Sequence, residues 1–160
     1  MLAALRLHRL LLWLLLQWPF GFGLSFGDFF FSAAETGKTL HTTVAKAESQ
    51  PLCFRVAVKN QATSHAMTSD VVVLAFIGSD HPDAPRNAKL CDFQREASVK
   101  PGESRTVELC VDSLGRALAL VDVAGRQRVV PGKFTVTVGV QGGVGGAGAG
   151  SAIGTVVVTA

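Results

Sequence analysis

A chain of 160 residues has the size of one domain and is long enough to enclose a hydrophobic core. Hydrophobic residues make up 48% of the sequence and charged residues 17%, a composition that excludes an intrinsically disordered chain. The formal net charge is only +3 and no basic stripe is interleaved with aromatic residues, so nucleic acid is not an expected partner.

Residues 1–25 predict a hydrophobic leader that ends in an aromatic and glycine-rich segment. Arg6, His8 and Arg9 precede the apolar run 10–16, an order typical of a secretory signal peptide. The run is shorter than the ~20 apolar residues that span a membrane. We expect a secreted, extracellular protein if this leader is a working signal. An accidental leader from a truncated gene is the alternative, and an uncleaved, membrane-held leader is less favoured.

From Phe26 onward the apolar residues recur with a period of two, which predicts strands rather than helices. Residues 29–31 are the first predicted strand, and residues 51–60 alternate apolar and polar side chains, as in a strand with one dry face. Residues 70–77 are nearly all apolar and predict a central strand covered on both faces. The turn-forming residues of 78–87 predict a loop.

Residues 90–99 predict another strand, with Leu90 and Phe93 in the core. On this interpretation Phe93→Ala costs about 3–5 kcal/mol. Lys100-Pro101-Gly102-Glu103 predicts a tight turn in which Gly102 has a positive φ, followed by a strand over 103–112.

Residues 113–116 predict one helical turn, and residues 118–123 and 129–130 predict two short strands joined by a turn that Asp122 caps. Residues 133–138 predict a further strand, with one face formed by Phe134, Val136 and Val138.

Residues 141–154 predict a long, flexible, glycine-rich hairpin loop, after which residues 155–159 return as a strand at the sheet edge. A phosphate-binding loop is not favoured, because the lysine and the following helix that such a loop requires are missing.

Short strands separated by turn signals at intervals of about eight to twelve residues predict an all-β, antiparallel, two-sheet immunoglobulin-like sandwich over residues 26–160. Its segments, in this order and spacing, resemble the C-terminal fibronectin type III-like domain of family 3 glycoside hydrolases, the β-glucosidases and β-xylosidases. The segments that carry the resemblance are residues 18–26, 54–60, 69–76, 90–95, 100–104, 118–122 and 130–139. Residues 67–70 and 118–122 look closer to the β-xylosidase and α-arabinofuranosidase branch.

The resemblance implies a non-catalytic accessory domain that packs on the catalytic barrel and α/β domains of a retaining glycosidase. Neither domain is part of this sequence, so we expect a fragment that is inactive alone, even though its family consists of enzymes. The alternative is a free-standing secreted sandwich that binds carbohydrate or protein through loops or an edge strand. Phe54, Phe76, Phe93 and Phe134 are interpreted as inward-facing, which favours the accessory domain.

Glycoside hydrolysis needs two carboxylates on either side of the scissile bond. The acidic candidates are Asp70 at a strand start, Glu103 beside a turn, Glu108 on an outward strand face and Asp122 in a turn. Nothing in the pattern brings two of them into one cleft, so no catalytic residue is predicted.

The histidines His8, His41, His65 and His81 lack the spacing of metal ligands, so no metal or cofactor is expected. Ser25 and Ser104 have no His and Asp ordered around them as a nucleophile requires. Asp80 and His81 would approach a sugar or a partner domain if their loop projects, although an exposed turn is favoured.

Cys53, Cys91 and Cys110 are an odd number of cysteines, so at least one thiol is unpaired. Strand alternation places Cys53 and Cys110 on outward faces. A disulfide between them is open if their strands pair, but free thiols are the favoured interpretation, and the resemblance implies no disulfide.

Overall fold

The computed structural model describes residues 27–33, 38–47, 49, 51–62, 67–111, 114–139 and 151–160. The predicted leader, His8, Ser25, His65 and the glycine tract 141–150 lie outside these residues. The strands that the structure describes are β1 (Phe29–Ala33), β2 (Lys38–Thr43), β3 (Leu52–Asn60), β4 (Ser69–Ser79), β5 (Lys89–Val99), β6 (Ser104–Val111), β7 (Ala119–Val121), β8 (Gln127–Val129), β9 (Gly132–Gly139) and β10 (Ser151–Thr159). The helices are α1 (Val44–Ala47) and α2 (Leu114–Leu118), and no helix in the described ranges is long and apolar enough to cross a lipid bilayer.

The strands form two facing sheets and one hairpin. One sheet has three strands in the order β1-β3-β6, the other has five in the order β2-β10-β9-β4-β5, and β7 pairs with β8. The predicted all-β sandwich is therefore confirmed. One detail differs from the antiparallel prediction, because β10 pairs with β2 in parallel.

The core lies between the two sheets and consists of alternate residues from their inner faces. In β3, Phe54, Val56 and Val58 are buried, and the polar positions between them point outward. Burial of each such side chain contributes roughly 1.5–3 kcal/mol. The other sheet and β6 complete the same layer with Val71, Val73, Ala75, Ile77, Val107, Leu109, Phe134, Val136, Val138, Val156 and Val158. The period of two predicted these faces correctly.

Strand β5 reverses the predicted orientation, and the unequal width of the sheets explains why. It is the outermost strand of the wide sheet, so most of its inner face meets the edge strand β6, and only Val99 and the half-buried Cys91 reach the apolar layer. Asp92 and Glu96 point toward β6, while Leu90 and Phe93 point outward and are 42% and 60% exposed. The prediction that Leu90 and Phe93 are core residues is therefore wrong.

Strand β2 was not predicted. Its register places Leu40 and Thr42 inward and Thr39, His41 and Thr43 on the opposite face. A Thr-rich strand with so few apolar residues carries little hydrophobic periodicity. Because β2 lies outside β10, β10 is not the edge strand that was predicted.

Residues 151–154, which were predicted as the end of the glycine-rich loop, instead begin β10. A Cβ at Gly154 would collide with the ring of Phe54 and press on the backbone oxygen of Lys38. This glycine therefore allows close packing of the two sheets. The glycine predicted for a turn is confirmed, since Gly102 has a φ of 76° and the Glu103 N–H donates to the Lys100 oxygen.

Cys53 and Cys110 face each other across β3 and β6 and form a disulfide, with their Cα atoms 4.1 Å apart. The favoured interpretation as free thiols is therefore wrong, because alternation alone does not reveal which strands pair. A cross-link that closes a loop of this length typically contributes about 2–4 kcal/mol. Cys91 is the free thiol, and burial raises its pKa to about 11.

Two phenylalanines of the wide sheet provide a test of the corrected orientation. Phe134 is 2% exposed in the core and Phe93 is 60% exposed on the outer face. We expect Phe134→Ala to lower the free energy of unfolding by about 3–5 kcal/mol, and Phe93→Ala by about 1 kcal/mol or less. Urea denaturation of both variants measures the difference. Equal losses in the two variants would contradict the assigned faces.

Candidate functional site

The four carboxylates considered as catalytic candidates each pair with a different arginine. Asp70 accepts a hydrogen bond from Arg95 at 2.6 Å, and Glu103 accepts one from Arg105 at 2.9 Å. The other two pairs are Arg55–Glu108 at 3.5 Å and Arg126–Asp122 at 3.0 Å. Each of these acids thus has a structural partner. Asp70 and Glu103 are also linked through Ser98, whose N–H donates to Asp70 and whose oxygen accepts a hydrogen bond from Arg105.

Asp122 caps the turn between β7 and β8, as predicted. Its Oδ1 accepts hydrogen bonds from the backbone N–H groups of Ala124 and Arg126, both at 2.9 Å, while the Gly125 N–H donates to its backbone oxygen. Chiefly because of the bond from the Arg126 N–H, the pKa of Asp122 lies below its ordinary value. A group of this kind remains ionised and is poorly suited to donate a proton near neutral pH.

Asp70 has a similar role at a bulge between β4 and β5. Its Oδ1 accepts a hydrogen bond from the Ser98 N–H at 2.8 Å, and Ser98 has a φ of 56°, in the left-handed region. Hydrogen bonds from Arg95 and from the Ser98 backbone lower the pKa of Asp70. The carboxylate therefore holds a backbone conformation that non-glycine residues rarely adopt.

A seam of polar side chains joins the exposed edges of β5 and β6. Asp92 Oδ2 accepts a hydrogen bond from the Cys110 N–H at 2.7 Å. Arg105 donates to the Ala97 and Ser98 backbone oxygens at 2.8 and 3.3 Å. Arg105 also bonds Glu96 and Glu103. The sequence analysis missed this seam, although the polar alternation of residues 92, 94 and 96 is the signal that could have revealed it.

The described histidines do not converge on a metal site. His41 is exposed on β2, and the His81 Nδ1 accepts a hydrogen bond from the Asp83 N–H at 3.1 Å within its own loop. Over the ranges that the structure describes, no group of three or more His, Cys, Asp or Glu side chains is arranged to hold a metal ion.

A groove of about 400 Å³ lies where the β4–β5 loop meets the outer face of β9. The start of the loop is anchored by the Ser79 hydroxyl, which donates to the Lys133 oxygen at 2.8 Å. Small side chains, hydroxyls and one charge of each sign line the groove: Gly78, Ser79, Asp80, Pro85, Arg86, Ala88, Thr135 and Thr137. Of the two loop residues singled out in the sequence, Asp80 lines it.

A second candidate surface is apolar and lies on the outer face of β4 and β5. It consists of Val72, Leu90 and Phe93, which are 41%, 42% and 60% exposed, and we call it the apolar patch. Leu74 and Phe76 occupy outward positions beside these residues but are buried. A contiguous exposed apolar surface is typical of an interaction site.

Comparison with known proteins identifies the kind of domain to which these features belong. Residues 71–141 match the fibronectin type III-like domain family. The chain therefore contains a fibronectin type III-like domain. The relatives and solved structures that it resembles are β-xylosidases and β-glucosidases, the enzymes to which the sequence resemblance pointed.

The curated relatives are much longer than this chain. A probable exo-1,4-β-xylosidase of Aspergillus clavatus is 34% identical over 134 residues, which cover 76% of this chain and 17% of that protein. A β-xylosidase of Formosa agariphila is 29% identical over 123 residues, which cover 76% of this chain and 15% of that protein. The chain thus spans less than a fifth of the length of these relatives.

Solved structures share the fold. A β-glucosidase of Listeria innocua in complex with glucose has a TM-score of 0.67 and 20% identity, over 89% of this chain and 18% of that chain. A β-glucosidase of Kluyveromyces marxianus has a TM-score of 0.62 and 22% identity, over 89% of this chain and 16% of that chain. In these structures too, the matching part is a small fraction of the whole chain.

The lowered pKa of Asp122 predicts how stability depends on pH. Its ionised form is stabilised by folding, so this contribution is complete above the ordinary value of 3.8 and is lost as the pH falls through the lower folded value. We expect the melting temperature of the wild-type chain to fall between about pH 5 and about pH 2. Asp122→Asn should be less stable near neutral pH and should lose less stability over that interval.

Thermal unfolding followed by circular dichroism across the acid range measures this dependence. Asp70 and Glu103 also have lowered pKa values, so the variant should retain part of the acid sensitivity. Identical acid dependence in wild type and Asp122→Asn would contradict the role of Asp122.

Proposed function

We propose that this chain is a non-catalytic accessory domain, a fragment of a family 3 glycosidase that acts on β-xylosides. The observation that carries the proposal is the 34% identity to the exo-1,4-β-xylosidase of Aspergillus clavatus over 76% of this chain. The β-glucosidase structures are 20–22% identical and support the fold alone, so the β-xyloside branch is preferred to the β-glucoside branch.

The chemistry of the described carboxylates supports a non-catalytic role. Retaining hydrolysis uses two carboxyl groups about 5–5.5 Å apart, one of which must hold a proton at working pH. Asp70, Glu103 and Asp122 instead have lowered pKa values and are engaged in hydrogen bonds that stabilise turns and a bulge. On this proposal, the partners of the chain are the catalytic barrel and α/β domains of such an enzyme.

The first test of this proposal is catalytic. We expect the purified chain not to hydrolyse nitrophenyl β-xyloside or nitrophenyl β-glucoside, because Asp70, Glu103 and Asp122 have lowered pKa values and are poorly suited to donate the proton that the first step requires. The second test is a chimaera of the Aspergillus clavatus enzyme in which this chain's aligned segment replaces the native one. The chimaera should be active, whereas the same enzyme truncated at that segment should be unstable or poorly active.

Turnover by the isolated chain at the rate of the complete fungal enzyme would overturn the proposal, and so would a chimaera no more active than the truncated enzyme. The fungal enzyme assayed in parallel is the control for substrate quality. The two measurements separate a catalytic function from an accessory one.

A free-standing carbohydrate-binding sandwich is the second candidate function. The outward position of Phe93 supports it, because the interpretation of the aromatic side chains as inward-facing is wrong for Phe93 and also for Phe76, which occupies an outward but buried position. The groove beside the β4–β5 loop offers hydroxyls, a carboxylate and a guanidinium to a sugar. Binding of xylan by the isolated chain, reduced by Asp80→Ala in the groove, would favour this candidate.

We also propose that the protein is secreted. The support consists of the basic and leucine-rich leader at residues 1–25 and the Cys53–Cys110 disulfide, since disulfides form and persist in oxidising compartments.

Expression of the complete chain in a eukaryotic secretory host tests this localisation. We expect protein in the culture medium in which Cys53 and Cys110 resist alkylation until a reductant is added, while Cys91 is alkylated after unfolding alone. Replacement of the Leu10–Leu16 run by serines should prevent export. Retention of the wild-type chain in the cytosol, with all three thiols reactive after unfolding, would contradict secretion.

A further inference from the structure

Three exposed large apolar side chains, Val72, Leu90 and Phe93, lie together at the corner formed by β4 and β5. The other exposed large apolar residues of the described ranges lie elsewhere: Phe30, Met67, Val121 and Val123. The outer face of β3 and β6 carries Arg55, Lys59 and Glu108 around the disulfide. The outer face of β9 carries Thr135 and Thr137. By contrast, the apolar patch presents Val72, Leu90 and Phe93 on adjacent strands, and Phe93 is the most exposed of the three.

Polar side chains occupy part of the edge beside this patch. A partner strand would need the unpaired backbone groups of β5, but Arg105 already donates to the Ala97 and Ser98 oxygens. On the β6 side, the Cys110 N–H is taken by Asp92. A partner strand would have to displace these bonds, whereas a partner that packs on the patch with its side chains would not. This difference disfavours edge pairing between two copies of this chain.

Charge at the border of the patch also restricts the partner. Arg95 lies opposite Val72 in the ladder, and its guanidinium is neutralised by Asp70 at 2.6 Å. The patch therefore offers apolar contact with a neutralised border, which suits a neutral apolar protein surface better than a polyanion or a hydrated polysaccharide.

The relatives indicate which protein supplies the apolar surface that covers this patch. The aligned segment makes up 17% and 15% of the curated β-xylosidases and 18% of a β-glucosidase of known structure. In each, a domain of this kind is covalently joined to a much larger protein. We infer that the apolar patch docks on the catalytic part of the family 3 glycosidase, with Phe93 at its centre. This inference rests on the proposed accessory function and specifies the face through which it acts.

The test uses the chimaera with the Aspergillus clavatus enzyme and a matched pair of substitutions. Phe93→Lys places a charge in the patch, while Phe30→Lys makes the same change on the opposite sheet, where Phe30 is 52% exposed. The readouts are the melting temperature and half-life of activity of each chimaera, and the melting temperature and sedimentation coefficient of the isolated chain carrying each substitution.

We expect Phe93→Lys to lower the melting temperature of the chimaera by several degrees and to shorten its half-life several-fold. Phe30→Lys should change the chimaera little, and both isolated variants should melt within about a degree or two of wild type, because exposed substitutions away from structural contacts have small effects. Leu90→Lys should repeat the effect of Phe93→Lys.

The other outcomes overturn different claims. Equal effects of Phe93→Lys and Phe30→Lys in an active chimaera would exclude the patch as the docking face and leave the accessory function standing. A wild-type chimaera that is no better than the truncated enzyme would overturn both claims. An isolated chain that sediments as a dimer and becomes a monomer on Phe93→Lys would show that a second copy covers the patch.

Discussion

Two sheets of unequal width share one apolar layer, and this constraint determines where the other features of the domain lie. Three strands on one side cannot cover five on the other, so most of the inner face of β5 extends beyond the apolar layer and meets the edge of β6. Polar residues of β5 therefore point inward and form the seam with Arg105 and Cys110. Leu90 and Phe93 of β5 point outward and form the apolar patch together with Val72 of β4. One packing mismatch thus accounts for the polar seam and for a candidate interaction surface.

The distribution of charge is consistent with a structural role. Each acidic candidate has its own arginine, and the carboxylates with lowered pKa values hold a bulge at Ser98, the tight turn after Lys100 and the hairpin turn after Asp122. Catalytic acids in glycosidases require the opposite environment, in which a carboxyl group is desolvated or placed beside another carboxylate. These side chains contribute rigid turns and a neutralised surface, which is what a domain supporting a larger enzyme needs.

The buried polar side chain of Asn60 shows how the loops are connected to the same frame. Its Nδ2 donates to the Val99 oxygen at 3.2 Å, and its backbone accepts a hydrogen bond from the Gly102 N–H at 2.8 Å. The end of β3 is thereby linked to the end of β5 and to the turn that precedes β6. Together with the Cys53–Cys110 cross-link, this places covalent and hydrogen-bonded ties at several points along β3.

The sequence by itself determined the sandwich, most strand positions, the turns at Gly102 and Asp122, and the resemblance to a family 3 accessory domain. It did so because alternating burial and turn chemistry are local properties. Only the tertiary structure decided the outward position of Phe93, the Cys53–Cys110 pairing, the Thr-rich strand β2 and the contact of Gly154 with Phe54. Each of these depends on which strands are neighbours and how far one sheet extends past the other, and alternation along a single strand carries no information about its neighbours.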